Sequence, residues 1–348
     1  MESRASGPRF GPRHPCGLPC RHSLPAGRPR QVGGAFHRPA SPGDTGAPVS
    51  DLPTMLITST LLALALAASP ADLMPIECPA CAGWNLPQAP FLLHGKSWYV
   101  GTQGLSAVLI DSGDGLVLVD GALPQSAPLI AANIASLGFS VTDVKWILNS
   151  HPHYDHAGGI AALKRLSGAR VAGTARGAEA MRQGNAPHDD PQVGYGPQAN
   201  AFPPVDEVTG LADGAQLTVG DLTLTLHATP GHTPGGATWS WRSCDQGRCR
   251  DLVYADSVTA VSAPGFRFSD DPGRVAEFRA TLDRIAGLDC DLAVSAHPGP
   301  TKLFERAAAR DAGEEEPAFF DDQSCRAYAA FGRDWLDKRL AEESAKSE

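Results

Sequence analysis

Basic residues are in short supply: 29 Lys and Arg stand against 38 Asp and Glu, for a formal charge of -9 and an isoelectric point near 5.6. That balance gives no global attraction toward nucleic acid or an anionic membrane surface, and neither is expected as a partner. A permanent membrane anchor is lacking too. The strongest apolar run, Leu61 to Ala68, is shorter than a bilayer span and has no charged flank on its far side. No cysteine grouping lies beside the clustered histidines described below, which removes the closed four-ligand pattern of a structural, non-enzymatic zinc module. With 42% hydrophobic and 19% charged residues in 348, the chain can bury one large core or two modest ones, and a small-molecule or peptide substrate stays open.

Residues 1–54 combine many Gly and Pro with Arg and show almost no hydrophobic periodicity, so they cannot bury enough apolar surface to offset ordering entropy. They are expected to be a disordered or untranslated extension. From Met55 the pattern changes to that of a signal peptide over 55–67, with Ala65-Leu66-Ala67 as a small-x-small cleavage site, although Met55 to Ser59 carries no Lys or Arg. The mature domain is then 68–348, secreted, with the bacterial periplasm as its expected location and a monomer as its expected state. Cysteine usage points the same way. Cys244 and Cys249 flank Asp245-Gln246-Gly247-Arg248, a spacing that a tight hairpin can close with a disulfide, and Cys290 and Cys325 can form a longer-range bridge. Cys78 and Cys81 can pair locally or stay free.

Strand patterns run over Ser97–Gly101, Ala107–Asp111 and Gly115–Asp120, the last two joined by Ser112-Gly113-Asp114, and they read as an antiparallel meander. Ser126–Leu137 has helical spacing and stops at Gly138; Val144–Leu148 reads as a buried strand, and Ile160–Leu166 as helix again. Residues 184–204 are rich in Gly, Pro, Asn and Asp, which predicts a long, mobile excursion of the kind that covers a site. The second half repeats the plan, with strands over Ala215–Val219, Leu222–His227, Ala237–Arg242, Asp251–Tyr254 and Asp291–Ser295, and helices over Val275–Ile285 and Ala327–Leu340. Strands followed by helices in both halves point to a layered α/β sandwich.

The chemistry is concentrated in His151-Pro152-His153-Tyr154-Asp155-His156, on the loop between a strand and a helix. In an extended stretch alternate residues point the same way, so His151 and His153 can share one ion while a bend turns Asp155 and His156 toward another. His232, within Thr229-Pro230-Gly231-His232-Thr233-Pro234-Gly235, and His297, within Ser295-Ala296-His297-Pro298-Gly299, each follow a strand in a Gly/Pro turn. Any one of these histidines alone reads as a satisfied loop residue. Six ligands together fill two three-ligand sites, each with the open position of a catalytic zinc.

The run H-x-H-x-D-H followed by isolated downstream histidines resembles the metallo-β-lactamase superfamily, over about residues 80–340. Gly83-Trp84-Asn85, Trp98-Tyr99-Val100-Gly101-Thr102, Pro230 to Gly236, Tyr254-Ala255-Asp256-Ser257 and His297-Pro298-Gly299 are similar to subclass B3. The resemblance implies an α/β (α+β) fold, a four-layer αββα sandwich of two packed mixed sheets flanked by helices. It implies two zinc ions per chain, the first on His151, His153 and His232, the second on Asp155, His156 and His297. Ser257 and Thr259 would bind the substrate carboxylate, Trp84 would flank the groove with the 184–204 excursion, and Asp155 would also orient the attacking water. Asp256 is read as a buried structural carboxylate; the alternative is the bridging aspartate of hydrolases resembling glyoxalase II or the lactonases. Some relatives pair an early cysteine with one after Trp98, but Gln103 in Gly101-Thr102-Gln103-Gly104 leaves no such bridge.

The implied activity is zinc-dependent hydrolysis of a β-lactam amide, with a small-molecule β-lactam as substrate and carbapenems within its range. Water activated between the ions would attack without a protein nucleophile. No Ser-x-x-Lys sequence occurs to support a covalent serine route. A lactonase or a thioester hydrolase resembling glyoxalase II keeps the same metal core and is the competing activity.

Overall fold

The computed structural model describes residues 70–313 and 319–345. The extension over 1–54 and the signal segment over 55–67 lie outside the described residues. Strands β1 (Phe91–His94), β2 (Ser97–Tyr99), β3 (Val108–Asp111), β4 (Leu116–Val119), β5 (Val144–Leu148), β6 (Arg170–Thr174) and β7 (Val208–Leu211) form one sheet in that order. Pairing is antiparallel from β1 to β4 and parallel from β4 to β7. Helices α1 (Cys81–Trp84), α2 (Ala127–Ser136), α3 (Tyr154–Ala157), α4 (Ile160–Ser167) and α5 (Ala175–Gln183) interleave with these strands. The second sheet orders β12 (Leu292–Ser295), β11 (Arg248–Ala255), β10 (Ala237–Asp245), β9 (Leu222–Ala228) and β8 (Gln216–Val219), parallel only between β11 and β12. Helices α6 (Pro272–Ala286), α7 (Leu303–Asp311) and α8 (Ser324–Ala345) complete the chain.

Alternation along the strands explains the four layers. Successive side chains point to opposite faces, so a strand buried on both sides needs apolar residues throughout. In β3 and β4, Val108, Ile110, Val117 and Val119 face the second sheet, while Leu109, Leu116 and Leu118 pack with Ile130, Ile134, Ile160 and Leu163 of the helical layer. The second sheet mirrors this. Leu252, Tyr254, Leu292 and Val294 point inward, and Val253, Ala255 and Ala293 meet Phe278, Leu282 and Tyr328 of α6 and α8. The result is the expected αββα sandwich of two mixed sheets.

Several elements were not legible as such. β6 and β7 each contain a glycine, β1 has only four residues, and none shows the clean alternation of a half-buried strand. The 184–204 excursion carries internal ties: Asn200 Nδ2 donates to the carbonyls of Gln192, Val193 and Gly196, and an isolated bridge joins Asn185 to Ala201. Among the described residues, six cysteines lie in three pairs with sulfurs at bonding distance. Cys244 and Cys249 are direct cross-strand partners beside the turn of the β10–β11 hairpin, Cys290 reaches Cys325 at the start of α8, and Cys78 meets Cys81 locally. No helix among the described residues is long and apolar enough to cross a membrane.

Candidate metal centre

The parallel strands β4 and β5 deliver their following loops to one edge of the sandwich, and the His151–His156 segment begins there. Asp120, directly after β4, has a positive φ of 62°, in the left-handed region that aspartate enters more readily than most residues with a side chain. Its carboxylate accepts hydrogen bonds from Ser150 N (2.7 Å), Ser150 Oγ (2.6 Å), Asn149 Nδ2 (3.1 Å) and Tyr254 Oη (2.9 Å). The loop is thereby fixed from beneath by residues of both sheets. Gly159 is needed where the chain turns into α4, since a Cβ there would lie 2.2 Å from the Gly121 carbonyl oxygen.

His151, His153 and His232 are brought together, with ring centroids 4.8 to 5.0 Å apart in all three pairs. One nitrogen of each ring is already engaged. His151 Nδ1 lies 2.9 Å from Asp256 Oδ1, His153 Nε2 is 3.0 Å from Asp190 Oδ2, and His232 Nδ1 is 2.8 Å from the Thr259 carbonyl oxygen. The opposite nitrogens are thereby left to converge. His151 Nε2 is buried and has no hydrogen-bond partner, an uncommon state for a buried polar atom unless something else is meant to sit against it. Donor atoms of the three residues fall within 4.8 Å of one another, as do those of His151, Asp155 and His156.

Asp155, His156 and His297 converge more tightly. His297 Nε2 is 3.3 Å from both Asp155 Oδ2 and His156 Nε2, and His156 Nε2 is 3.4 Å from Asp155 Oδ2. A tetrahedral ion with bonds of about 2.0–2.1 Å separates its ligands by about 3.3–3.4 Å, so this triangle has the size zinc requires. His297 Nδ1 is engaged by the Gly104 carbonyl oxygen at 3.0 Å, and Trp84 lies over the same imidazole at a centroid distance of 5.0 Å.

Protonation suits the same purpose. Burial, with His156 and His153 nearby, holds the His151 ring well below the ordinary imidazole range, and burial beside His153 lowers His232 to about 3. Asp155 is held well below the carboxylate range, because His156 and His297 outweigh its burial. For His156 burial acts downward, but Asp155 and Asp120 prevail and raise it to about 10. Neutral imidazoles and an ionised carboxylate are the donor forms a metal takes, and the proton on His156 is one that a cation would displace.

Other candidate residues lie around this core. Ser257 is buried and Thr259 half-buried, and Thr259 Oγ1 sits 3.3 Å from His232 Nδ1, so the threonine touches a cluster histidine. Asp256 stands behind His151, on the nitrogen that faces away from the cluster centre. A Cβ on Gly236 would lie 2.1 Å from Asp256 Oδ2, so glycine is what lets the carboxylate in. Two residues escaped the sequence reading: Asp120, which lies 3.6 Å from His156 Nδ1, and Asp190, which binds His153. Asp190 sits in the 184–204 excursion with only the adjacent Asp189 as a signal.

Asp190 fixes which His153 nitrogen is free, and partners of this type usually govern metal affinity by 10- to 100-fold. Asp190→Ala is therefore expected to weaken zinc at the first cluster by about 10- to 100-fold with the second unchanged. Competition against a chromophoric chelator reads this directly, and equal affinities in the two proteins would remove Asp190 from the metal centre.

Comparison with known proteins agrees with this geometry. The metallo-beta-lactamase superfamily signature matches residues 101–297. Among solved structures, Rm3 metallo-beta-lactamase is 49% identical with a TM-score of 0.73, covering 77% of this chain and 99% of that one. Metallo-beta-lactamase SMB-1 bound to 2-mercaptoethanesulfonate is 46% identical (TM-score 0.72; 75% and 99% covered). MEM-A1, a subclass B3 enzyme isolated from a soil metagenome library, is 44% identical (TM-score 0.72; 76% and 99% covered). Among curated proteins, the hydroxyacylglutathione hydrolase of Anaeromyxobacter dehalogenans (strain 2CP-C) is 34% identical over 192 residues, 55% of this chain and 59% of that protein. The chain thus spans about three fifths of the length of that curated relative. Taken with the converging histidines and the four-layer sandwich, these matches establish that the chain belongs to the metallo-β-lactamase superfamily, with B3 metallo-β-lactamases among its structural neighbours.

Proposed function

We propose that the protein hydrolyses the amide bond of β-lactams, carbapenems included, with two zinc ions held by His151, His153 and His232 and by Asp155, His156 and His297. The observation that carries this reading over a thioester hydrolase or a lactonase is the position of Asp256. In those enzymes an aspartate in this segment bridges the two ions; here its carboxylate is engaged by His151 Nδ1 at 2.9 Å and by Ser257 N at 2.8 Å, on the far side of the ring. The share of each relative that is matched supports the same choice: the two lactamase structures are covered over 99% of their chains, the hydroxyacylglutathione hydrolase of Anaeromyxobacter dehalogenans over 59%.

Bound zinc would supply Lewis acidity and lower the pKa of water toward about 7. Asp155, with one oxygen directed at His156 and His297, would orient the attacking water with its carboxylate. Ser257 and Thr259 would hold the carboxylate of a bicyclic lactam, and Trp84 beside His297 would wall the groove and exclude water from one side. Three cysteine pairs at bonding distance suit an oxidising compartment, and we place the mature protein in the periplasm.

The zinc-loaded protein is expected to hydrolyse a chromogenic cephalosporin and a carbapenem with kcat/KM at least about 100-fold above that for a glutathione thioester or an acyl-homoserine lactone. A strong chelator should abolish the turnover and added zinc restore it. Preference for the thioester or the lactone would overturn the assignment.

A further inference from the structure

The turn over residues 101–106 joins two parts of the site that lie far apart in sequence. At one end Gly104 N donates to the Trp84 carbonyl at 3.1 Å and Gln103 N to the Leu86 carbonyl at 2.9 Å. The Gly104 carbonyl accepts from His297 Nδ1 at 3.0 Å, so the same residue holds both the indole-bearing segment and a donor of the second cluster. The other end of the turn is fixed beside that histidine. Ser106 N donates to the Ala296 carbonyl at 2.9 Å, and Ser106 Oγ to that of Ser295 at 2.7 Å. From inside, the buried Tyr99 hydroxyl lies between the carbonyls of Thr102 and Leu105.

Glycine at 104 is required by space. Its φ is not left-handed, so backbone conformation alone would admit alanine. A Cβ there, however, would lie 2.5 Å from Trp84 Cδ1 and 2.6 Å from Trp84 Cα. Contact with a backbone atom is not relieved by rotating the indole, and that stretch of backbone is held. Trp84 N donates to the Ala80 carbonyl at 2.9 Å, and Asn85 Oδ1 accepts from the buried Ser126 hydroxyl at 2.6 Å. Because Ser106 is anchored next to His297, an added methyl group would displace the peptide in between, which carries the Gly104 carbonyl.

We infer that Gly104 is a positioning residue that couples the groove wall to the second metal cluster. By engaging Nδ1, its carbonyl leaves Nε2 of His297 as the donor atom and fixes the orientation of the ring, as outer partners of metal-ligating histidines do. Its bare Cα lets Trp84 settle over that ring, with centroids 5.0 Å apart. Wall and donor are thus set by one residue, and a change at either is felt at the other. The inference rests on the two-zinc reading above.

Zinc binding to substituted proteins tests it. Gly104→Ala is expected to weaken zinc at the second cluster about 10-fold with the first unchanged, read by competition against a chromophoric chelator. In a Trp84→Ala background, where the indole is gone and the segment can give way, the same substitution should cost about 3-fold or less, as for two residues that act through one contact. The fold should persist, since Gly104 is half-buried in a turn outside both sheets, and far-ultraviolet circular dichroism checks this. NMR supplies an independent readout. The Nδ1 proton resonance of His297, assigned by its loss in His297→Ala, should move to higher field in Gly104→Ala as its hydrogen bond lengthens. Parental affinity at both clusters, an equal cost in both backgrounds, or a Gly104→Ala chain that does not fold overturns the role. If the parent takes up no second zinc, the two-zinc reading fails, while the His297 resonance still decides whether Gly104 orients the ring.

Discussion

Replacing His153 by alanine is expected to lower kcat/KM for the preferred lactam by roughly three orders of magnitude or more, with the far-ultraviolet circular dichroism of the parent retained. The size follows from its place in the first cluster: one of three convergent imidazoles is lost, and two donors hold a catalytic zinc poorly. The fold should persist because the backbone of residue 153 keeps its work, accepting from His156 N at 3.0 Å and Ala157 N at 2.8 Å at the start of α3. A local cost remains. The substitution removes the His153 partner of Asp190, which keeps Gln192 N at 2.8 Å, and a lost hydrogen bond to a buried charge costs about 1.5–3 kcal/mol. Excess zinc separates this effect from that of Asp190→Ala, whose turnover should recover as the first cluster is saturated while that of His153→Ala does not. Near-parental activity in His153→Ala would contradict the first cluster outright.

Asp155→Asn is expected to lower kcat about 1,000-fold and to reduce bound zinc from two equivalents to about one. The amide keeps the shape of the side chain but not its charge, and that charge, together with Asp120, holds His156 up to about 10 and opposes the repulsion between the His156 and His297 donors. Metal analysis after gel filtration measures the stoichiometry, and stopped-flow hydrolysis the rate. Retention of two zinc equivalents together with parental kcat would show that Asp155 neither holds the second ion nor orients water.

The six candidate donors, which the structure brings together, were legible because sequence marks them twice, by residue type and by position after a strand. His151 to His156 are contiguous, and His232 and His297 each sit in a Gly/Pro turn at a sheet edge. Their supporting residues carry no such mark. Asp120 acts on Ser150, thirty residues away, only because β4 and β5 are parallel neighbours, and Asp190 reaches His153 only because the 184–204 excursion folds back on itself. Tyr328 contacts the Asp256 carbonyl across the interface of α8 with the second sheet, which periodicity can announce as apolar but cannot aim. Of the fold, the long alternating runs of the second sheet and helices α2, α4, α6 and α8 were readable, whereas α5 and α7 were not. The short glycine-containing strands β6 and β7 take their conformation from β5 and from each other, a tertiary effect that no local pattern expresses.

Both donor triads draw on both halves of the sandwich: His151, His153, Asp155 and His156 come from the first sheet's edge, His232 and His297 from loops of the second. Each ion so held would act as a rivet between two plates, although His151, Asp155 and His156 also gather three donors on the first plate alone. An ion that binds only the closed sandwich stabilises it in proportion to the logarithm of free zinc. On the proposed two-zinc reading, zinc starvation would lower the stability of the sandwich together with its activity.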